Sequence, residues 1–254
     1  DALITSDNTI LFWDNNVLRI INNSGTVSTL FGQKMSSGEN VDPLLARIGD
    51  TDVISLWGAD NRITFFDKTS LTFREIEIGN SVKTIAGNEQ WKDAIYTWAS
   101  ELSTKVATDL HLYFYGYWGR SYFIVDKENG TLFTTEYAGA HPNLIRLDRS
   151  TGKWSRIFGK SGGTKSLFTA SNNASTCDDN LLSSCRMHTS DGWSYSPHIV
   201  GYVPERAENG QTYPQQMMLL SHSYSSNKHL KCYVKSIFLD SSIKVIDTKR
   251  IENL

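Results

Sequence analysis

Val27–Gly32 reads Val-Ser-Thr-Leu-Phe-Gly, and phrases of the same design stand at Val82–Gly87 (Val-Lys-Thr-Ile-Ala-Gly) and Trp154–Gly159 (Trp-Ser-Arg-Ile-Phe-Gly). Each copy closes a run of short, strand-like segments. A phrase that repeats at long spacing indicates a modular fold, in which each unit buries its apolar face only by stacking on a neighbour. The repeat therefore predicts the architecture more sharply than it predicts the function.

The residues that precede the first copy have the order of an antiparallel meander. Residues 1–32 hold four short segments rich in Val, Ile, Leu and Phe, separated by turns of Asn, Asp, Ser and Gly. These turn residues tolerate positive φ or hydrogen-bond their own backbone, so tight connections between strands are expected. The same order predicts blade-like units at 1–32, 52–87, 121–159 and 198–248. In the second unit alternation fails near Arg74, which predicts a β-bulge there.

Three long connectors separate the units, at residues 33–51, 88–120 and 160–197. Connectors of this length are usually functional or locally folded. Within the second connector Ile95, Trp98 and Leu102 stand at helical spacing, which predicts one short amphipathic helix.

Repeated four-stranded meanders are typical of the blades of a β-propeller, so we predict an all-β propeller with long inter-blade loops. The third segments, Val17–Ile21 and Leu144–Asp148, together with Thr29–Gly32 and Thr84–Gly87, resemble the NHL-repeat propeller family, in a form like bacterial surface or adhesin proteins. The resemblance extends over residues 1–160 and only loosely over the last part of the chain. It implies a ring that commonly has six blades, whereas four units are found here. Hidden blades, part of a larger propeller and a compact four-bladed ring all stay open.

Charge and composition exclude some classes of partner. The formal net charge is -2, and the basic residues are dispersed, which gives no support to nucleic-acid binding. No apolar stretch approaches the roughly 18 residues that a membrane span needs. Because the chain begins at Asp1 without a basic-then-apolar leader, we expect a processed product, an excised fragment or a recombinant form.

The cysteines bear on localisation. Cys177 and Cys185 lie close together in a polar loop, whereas Cys232 stands in a strand-like run. A disulfide between Cys177 and Cys185 is the preferred interpretation, and it implies a secreted or cell-surface protein. Two free thiols are the plain alternative. A zinc site that adds His188 is the third, although the spacing matches no standard zinc module.

Two aromatic-rich loops supply the candidate binding residues. Tyr117, Trp118 and Arg120 stand in one loop, and Trp193 and Tyr195 in the other. Tyr and Trp have an apolar face and a polar tip, which suits stacking on sugar rings or anchoring a protein partner. The plain alternative is that aromatic residues of these loops fill the cores between blades.

The sequence gives little support to an enzyme. It contains no phosphate-binding Gly-x-x-x-x-Gly-Lys motif, and Ser161–Lys165 is interpreted as a flexible turn. Some propeller lyases place a metal and histidines in the central channel, and His111 and His198 are the candidates for that role. However, no His pairing repeats at a fixed place in successive units, so we predict no catalytic residues, no metal and no cofactor.

The sequence thus favours a non-catalytic, extracytoplasmic recognition module that binds a glycan or a surface protein through loops on one propeller face, as part of a bacterial adhesin or fibre. Two alternatives remain. One is a metal-dependent lyase or hydrolase with its site at the propeller axis. The other is a structural spacer or oligomerisation unit.

Overall fold

A computed structural model describes most of the four predicted units and parts of the connectors. The described residues are 2–14, 17–32, 54–58, 62–67, 70–78, 80–88, 104–110, 123–138, 141–158, 165–168, 185–189, 198–213, 215–224, 230–238 and 245–251. Nearly all of them are in β-strands and turns. The predicted all-β class is therefore confirmed. The predicted helix at 95–102 lies outside the described residues.

Four antiparallel sheets of four strands each form the framework. Sheet I contains β1 (Ala2–Ile4), β2 (Ile10–Asp14), β3 (Val17–Ile21) and β4 (Val27–Phe31). Sheet II contains β5 (Ile54–Trp57), β6 (Arg62–Asp67), β7 (Thr72–Glu77) and β8 (Val82–Ala86). Sheet III contains β9 (Phe123–Val125), β10 (Leu132–Ala138), β11 (His141–Asp148) and β12 (Lys153–Phe158). In these three sheets the strands pair in chain order, as a meander requires.

The second half of the chain adds shorter pairs of strands. A parallel pair, β13 (Lys165–Phe168) and β14 (Cys185–Thr189), lies in the third connector, and β14 runs beside β11 and β12. A polar hairpin of β16 (Arg206–Glu208) and β17 (Gln211–Tyr213) is inserted into sheet IV. Sheet IV itself consists of β15 (His198–Val203), β18 (Gln216–Tyr224), β19 (Leu230–Phe238) and β20 (Val245–Ile251), in that order. The third connector is thus locally folded.

The recurring phrase coincides with a β-bulge. Leu18 pairs with Phe31 and Arg19 with Thr29, so that Leu30 is the extra residue of β4. Ile85 and Ile157 are the extra residues in the matching places of β8 and β12. Each is the Leu or Ile of the closing phrase. The bulge predicted near Arg74 is confirmed, but its extra residue lies in the partner strand.

The sheets stack face to face in chain order. One core joins sheets I and II and is formed by Leu11, Leu18, Phe31, Ile63, Phe65, Ile76 and Val82. A second core joins sheets II and III and contains Phe66, Phe73, Leu132, Ile145, Leu147 and Trp154. Sheets III and IV meet where the ring of Phe133 packs on that of Tyr202, with 5.2 Å between the centroids. Each sheet therefore gains its dry interior from its neighbours, as the repeat predicts.

The first strands of sheets II, III and IV lie close together. β9 runs beside both β5 and β15, and the backbone N–H of Gly58, just after β5, donates to the carbonyl of Lys127, just after β9. Within the described residues no helix is long and apolar enough to cross a membrane.

Candidate functional site

The five predicted ligand-binding residues lie outside the described residues. They are Tyr117, Trp118, Arg120, Trp193 and Tyr195. Their roles therefore stay predictions, and the described structure bears on them only through the residues at either end of each loop. The predicted Cys177–Cys185 disulfide also stays a prediction, because Cys177 is outside the described residues and Cys185 is the first residue of β14.

The first aromatic loop begins and ends on the core between sheets II and III. Leu110 and Phe123 are both buried in that core, and the segment between them carries three of the predicted binding residues. A 3₁₀ turn, Ala107–Asp109, precedes Leu110, and Ala107 is fully buried in the same core. The loop is thus attached to the framework by apolar side chains at both ends.

Two backbone hydrogen bonds hold the 3₁₀ turn between the sheets. The carbonyl of Ala107 accepts from the N–H of Gly87 at 3.0 Å, and the N–H of Ala107 donates to the carbonyl of Gly152 at 2.8 Å. Gly87 ends the closing phrase of sheet II, and Gly152 lies in the turn between β11 and β12. Buried backbone groups need such partners. The turn therefore bridges the outer parts of two sheets.

The β11–β12 turn is shaped by Asp148. Its carboxylate accepts from the hydroxyl of Ser150 at 2.6 Å, from the N–H of Ser150 at 2.8 Å and from the N–H of Thr151 at 3.3 Å. The hydrogen bond from the Ser150 hydroxyl, followed by that from its N–H, lowers the pKa of Asp148. From this turn Gly152 accepts from the 3₁₀ turn and Arg149 donates to sheet II.

A cluster of charges around Glu75, the Glu75 cluster, lies at the joint between sheets II and III. Glu75 in β7 is fully buried, and its Oε1 lies 2.9 Å from Nη1 of Arg62 and 3.3 Å from Nζ of Lys83. Its other oxygen, Oε2, accepts from Nη2 of Arg149. Arg62 also reaches Glu77, with 3.5 Å between Nη2 and Oε2. Three cations and two carboxylates are thus gathered at one edge of the joint.

Both oxygens of Glu75 are engaged by cations from two sheets. Burial lowers the pKa of Arg149, while the nearby Glu75 carboxylate acts in the opposite direction. A buried carboxylate is costly without partners and tolerable with them. The Glu75 cluster therefore fixes the position of sheet III on sheet II, and it thereby fixes the position of the 3₁₀ turn.

A buried acid also marks the joint between sheets III and IV. The hydroxyl of Tyr202 in β15 donates to Oδ2 of Asp126, just after β9, at 3.0 Å, and Asp126 is buried. The N–H of Glu128 donates to the other oxygen of Asp126 at 2.9 Å. Burial, and then the hydrogen bond to Asp126, raises the pKa of Tyr202 well above its ordinary range.

The arginines of the third strands occupy equivalent places in sheets I and II but not in sheet III. Arg19 lies at the bulge of sheet I and Arg74 at that of sheet II, each one residue after the pair that opens the bulge. In sheet III the equivalent residue is Ile145, and Arg146 comes one position later, is exposed, and donates to Ser155 Oγ at 3.0 Å. The predicted correspondence of the third segments is thus shifted by one residue.

The described residues contain no group of three or more His, Cys, Asp or Glu side chains that could hold a metal ion. His198 is the first residue of β15, and His111 lies outside the described residues. The role considered for these two histidines therefore stays untested.

Sequence reasoning missed the buried acids Glu75 and Asp126. Glu75 follows Arg74 in a strand, and a charged pair in the middle of a strand is a signal that both faces are covered. Asp126 gives a weaker signal, because an Asp before a turn is ordinary.

No protein-family model matches the chain, and no curated protein matches it. Among solved structures, it is similar to a structural genomics protein of unknown function from Bacteroides thetaiotaomicron VPI-5482, with 13% sequence identity and a TM-score of 0.39. The match covers 63% of this chain and 35% of that chain, so the matched part spans about a third of the length of the solved structure.

Proposed function

We propose that this chain is a non-catalytic recognition module, built of propeller-type blades like those of NHL repeats, that acts outside the cytoplasm. It binds a glycan or a surface protein through loops on one face, as in a bacterial adhesin or fibre. The observation that carries the proposal is the attachment of the first aromatic loop to buried Leu110 at one end and buried Phe123 at the other.

Fixed loop ends favour binding for an entropic reason. A loop that must be ordered on binding costs conformational entropy, and anchoring its ends on a packed core reduces that cost. Between the two anchors stand Tyr117, Trp118 and Arg120. Aromatic rings supply the face for a sugar or an apolar side chain, and the guanidinium supplies hydrogen-bond donors.

The second loop has a comparable setting. Trp193 and Tyr195 lie in the segment that joins the end of β14 at Thr189 to the start of β15 at His198. A segment of this length between two strands is short enough for both ends to be held by the framework.

The charged residues of the joints support a framework role. Glu75 and Asp126 accept hydrogen bonds from partners in the adjacent sheet. We therefore assign the positioning of the sheets to these two carboxylates, and recognition to the loops. The proposal includes no cofactor, no nucleic acid partner and no membrane insertion.

The test is binding of the purified chain to a glycan array and to candidate surface proteins, followed by titration of each hit. Trp118→Ala and Trp193→Ala should each weaken binding by roughly tenfold or more, as expected when an aromatic anchor is truncated. Tyr213→Ala is the matched control, since Tyr213 lies in the β16–β17 hairpin with Arg206 over its ring, 5.2 Å from the centroid. It should leave binding unchanged.

Three outcomes would overturn the proposal. They are undiminished binding in both tryptophan variants, failure of the wild-type chain to bind any glycan or surface protein, and stoichiometric zinc or calcium with lyase or hydrolase activity. Circular dichroism of each variant distinguishes lost binding from lost folding.

A further inference from the structure

The stack of sheets has a direction. At the joint between sheets I and II, the first sheet presents Trp13, Leu18 and Phe31, and the second receives them with Phe65 and its neighbours. At the next joint sheet II presents Phe66, Phe73 and Ala86, which by the bulge register are the equivalents of that first set. A sheet thus packs on the following sheet with one face and on the preceding sheet with the opposite face. We call the second of these its receiving face.

In the part of the chain that the structure describes, no sheet packs on the receiving face of sheet I. On the side opposite Leu11 and Leu18, a row of apolar residues crosses all four strands through Ile4, Ile10, Ile21 and Val27, paired in register. Ile4 is 71% exposed and Val27 is 54% exposed. We call these four residues the open row.

The open row has a buried counterpart in sheet II. By register, Ile10, Ile21 and Val27 correspond to Ile63, Ile76 and Val82, which are fully buried under sheet I. The residue types are identical at all three places. Sheet I therefore has the residues that sheet II uses to receive a sheet, and the open row continues the established series of interfaces.

The charged pair beside this row is matched as well. Arg19 Nε lies 3.1 Å from Asp14 Oδ2 on the open face, and both side chains are partly exposed. At the equivalent places in sheet II, Arg74 Nη1 lies 4.0 Å from Asp67 Oδ2, and both side chains are buried. The same ion pair thus occurs once under a neighbouring sheet and once in solvent.

The other end of the stack has the complementary exposure. Sheet IV turns Tyr202, Met217 and Leu219 inward, whereas Val203 and Met218 on its outer side are 41% and 43% exposed. Among the described residues five large hydrophobic side chains are exposed, and all but Val106 lie on one of these two end faces. Exposed apolar residues that gather on particular faces indicate interaction surfaces.

We propose that the open row binds the outer face of sheet IV of a second copy of this chain, in a head-to-tail arrangement. A sheet of this size covers roughly 300 Å², from strands about 4.8 Å apart and a rise of about 3.3 Å per residue. That is below the roughly 800 Å² per partner of standard interfaces, so a weak, micromolar contact is expected. A head-to-tail contact produces a ring or an open chain of copies. This inference is independent of the loops that bind a ligand.

The first test is the mass of the complete chain in solution by sedimentation velocity, up to about 100 µM, where micromolar contacts are populated. The average mass should rise with concentration. Val27→Asp should weaken self-association by roughly tenfold or more, because it places a charge in the apolar contact. Val106→Asp is the matched control, since Val106 is similarly exposed but lies beside the 3₁₀ turn. A wild-type chain that stays monomeric at every concentration would overturn the proposal.

A second measurement identifies the two faces. A photoreactive amino acid in place of Ile4 is cross-linked in a mixture of ¹⁴N-labelled and ¹⁵N-labelled chains, and the products are digested and analysed by mass spectrometry. Mixed-isotope cross-links to peptides containing Val203 or Met218 are expected. Links only within one chain would show closure of a ring by the chain itself, and links between two open rows would show a symmetric dimer. Either result would overturn the head-to-tail arrangement.

If Val27→Asp does not fold, as judged by circular dichroism, Met218→Asp at the opposite face replaces it. The head-to-tail contact requires that this substitution also abolish the rise in mass. Persistence of the rise in a folded Met218→Asp chain would exclude sheet IV as the partner.

Discussion

Arg149 donates to the fully buried carboxylate of Glu75 across the joint between sheets II and III, although 74 residues separate the two in sequence. The turn that carries Arg149 also accepts the backbone N–H of Ala107 through Gly152. One ion pair thus contributes to two tasks. It aligns adjacent sheets, and it supports the segment from which the first aromatic loop departs.

Arg149→Ala should lower the free energy of unfolding by about 1–3 kcal/mol, because a buried carboxylate loses one of its hydrogen-bond donors while Arg62 and Lys83 remain. Denaturation by urea measures the loss. The control is Arg146→Ala, which removes an exposed arginine from the adjacent strand and should change stability by less than about 0.5 kcal/mol. Equal losses in the two variants would contradict a special role for the ion pair.

Gly87→Ala tests the residue that ends the closing phrase. Gly87 has φ of +88°, and a Cβ there would meet the carbonyl oxygen of Leu71 at 2.6 Å and Cα of Thr72 at 3.0 Å. Gly25 also has positive φ, +78°, but its Cβ would meet nothing within 4 Å. We expect Gly25→Ala to cost about 1–2 kcal/mol for the backbone conformation alone, and Gly87→Ala to cost about 1–3 kcal/mol more for the clash.

Thermal and urea denaturation of the two glycine variants, side by side, measure the difference. Similar losses would mean that the backbone near Leu71 moves to accommodate the methyl group, and the tight approach between β7 and the end of β8 would not be needed for stability.

Tyr202→Phe removes the hydroxyl that donates to Asp126. The loss of a hydrogen bond to a charged group should cost about 1.5–3 kcal/mol at neutral pH. Tyr213→Phe, in the exposed hairpin, is the control and should be near neutral. No difference between the two variants would argue against a contribution of the Tyr202–Asp126 hydrogen bond to the joint of sheets III and IV.

The contribution of Tyr202 to stability should fall at alkaline pH, because its pKa is raised in the folded state. The folded-state pKa of Tyr202 is raised, so its contribution is fully present below the unfolded value, about 10. It is lost as pH rises towards the folded value. Stability of the wild type should therefore fall more steeply above about pH 10 than that of Tyr202→Phe. Parallel pH profiles would contradict this assignment.

Asp148 should affect the stability of the protein at acidic pH. Its folded-state pKa is lowered, chiefly by the Ser150 hydroxyl, so its contribution is present above the unfolded value, about 3.9. It is lost as pH falls through the folded value. The advantage of the wild type over Asp148→Asn should therefore shrink below about pH 4. The effect is small because this carboxylate is largely exposed and water screens it. An advantage independent of pH would contradict the assignment.

Strand order was predictable because it depends on local patterns. Segments of apolar residues between Asn, Asp, Ser and Gly turns place the third strand Val17–Ile21 and the closing strands β4 and β8 within one residue of their observed bounds. The hairpin of β16 and β17 was missed because all its residues but Tyr213 are exposed, so that no apolar alternation marks it. The extra residues Leu30 and Ile85 look like ordinary strand residues, since a bulge depends on the partner strand.

The joints were less predictable than the strands for a related reason. The role of Glu75 depends on its contact with Arg149, which belongs to another sheet, and no local sequence pattern encodes that contact. The shift of Arg146 relative to Arg19 is equally invisible without strand pairing. The aromatic loops, in contrast, were proposed from residue chemistry alone, and their anchors Leu110 and Phe123 became apparent only in the packed core.

The open row has a consequence for local unfolding of the molecule. In a stack, cooperativity passes from neighbour to neighbour, so a unit flanked on both sides is protected more than one flanked on a single side. Among the described residues sheet II packs on a sheet at each face, whereas sheet I packs only on sheet II. Amide hydrogens of β2 and β3 should therefore exchange with deuterium faster than those of β6 and β7, so that thermal fraying reaches sheet I before sheet II.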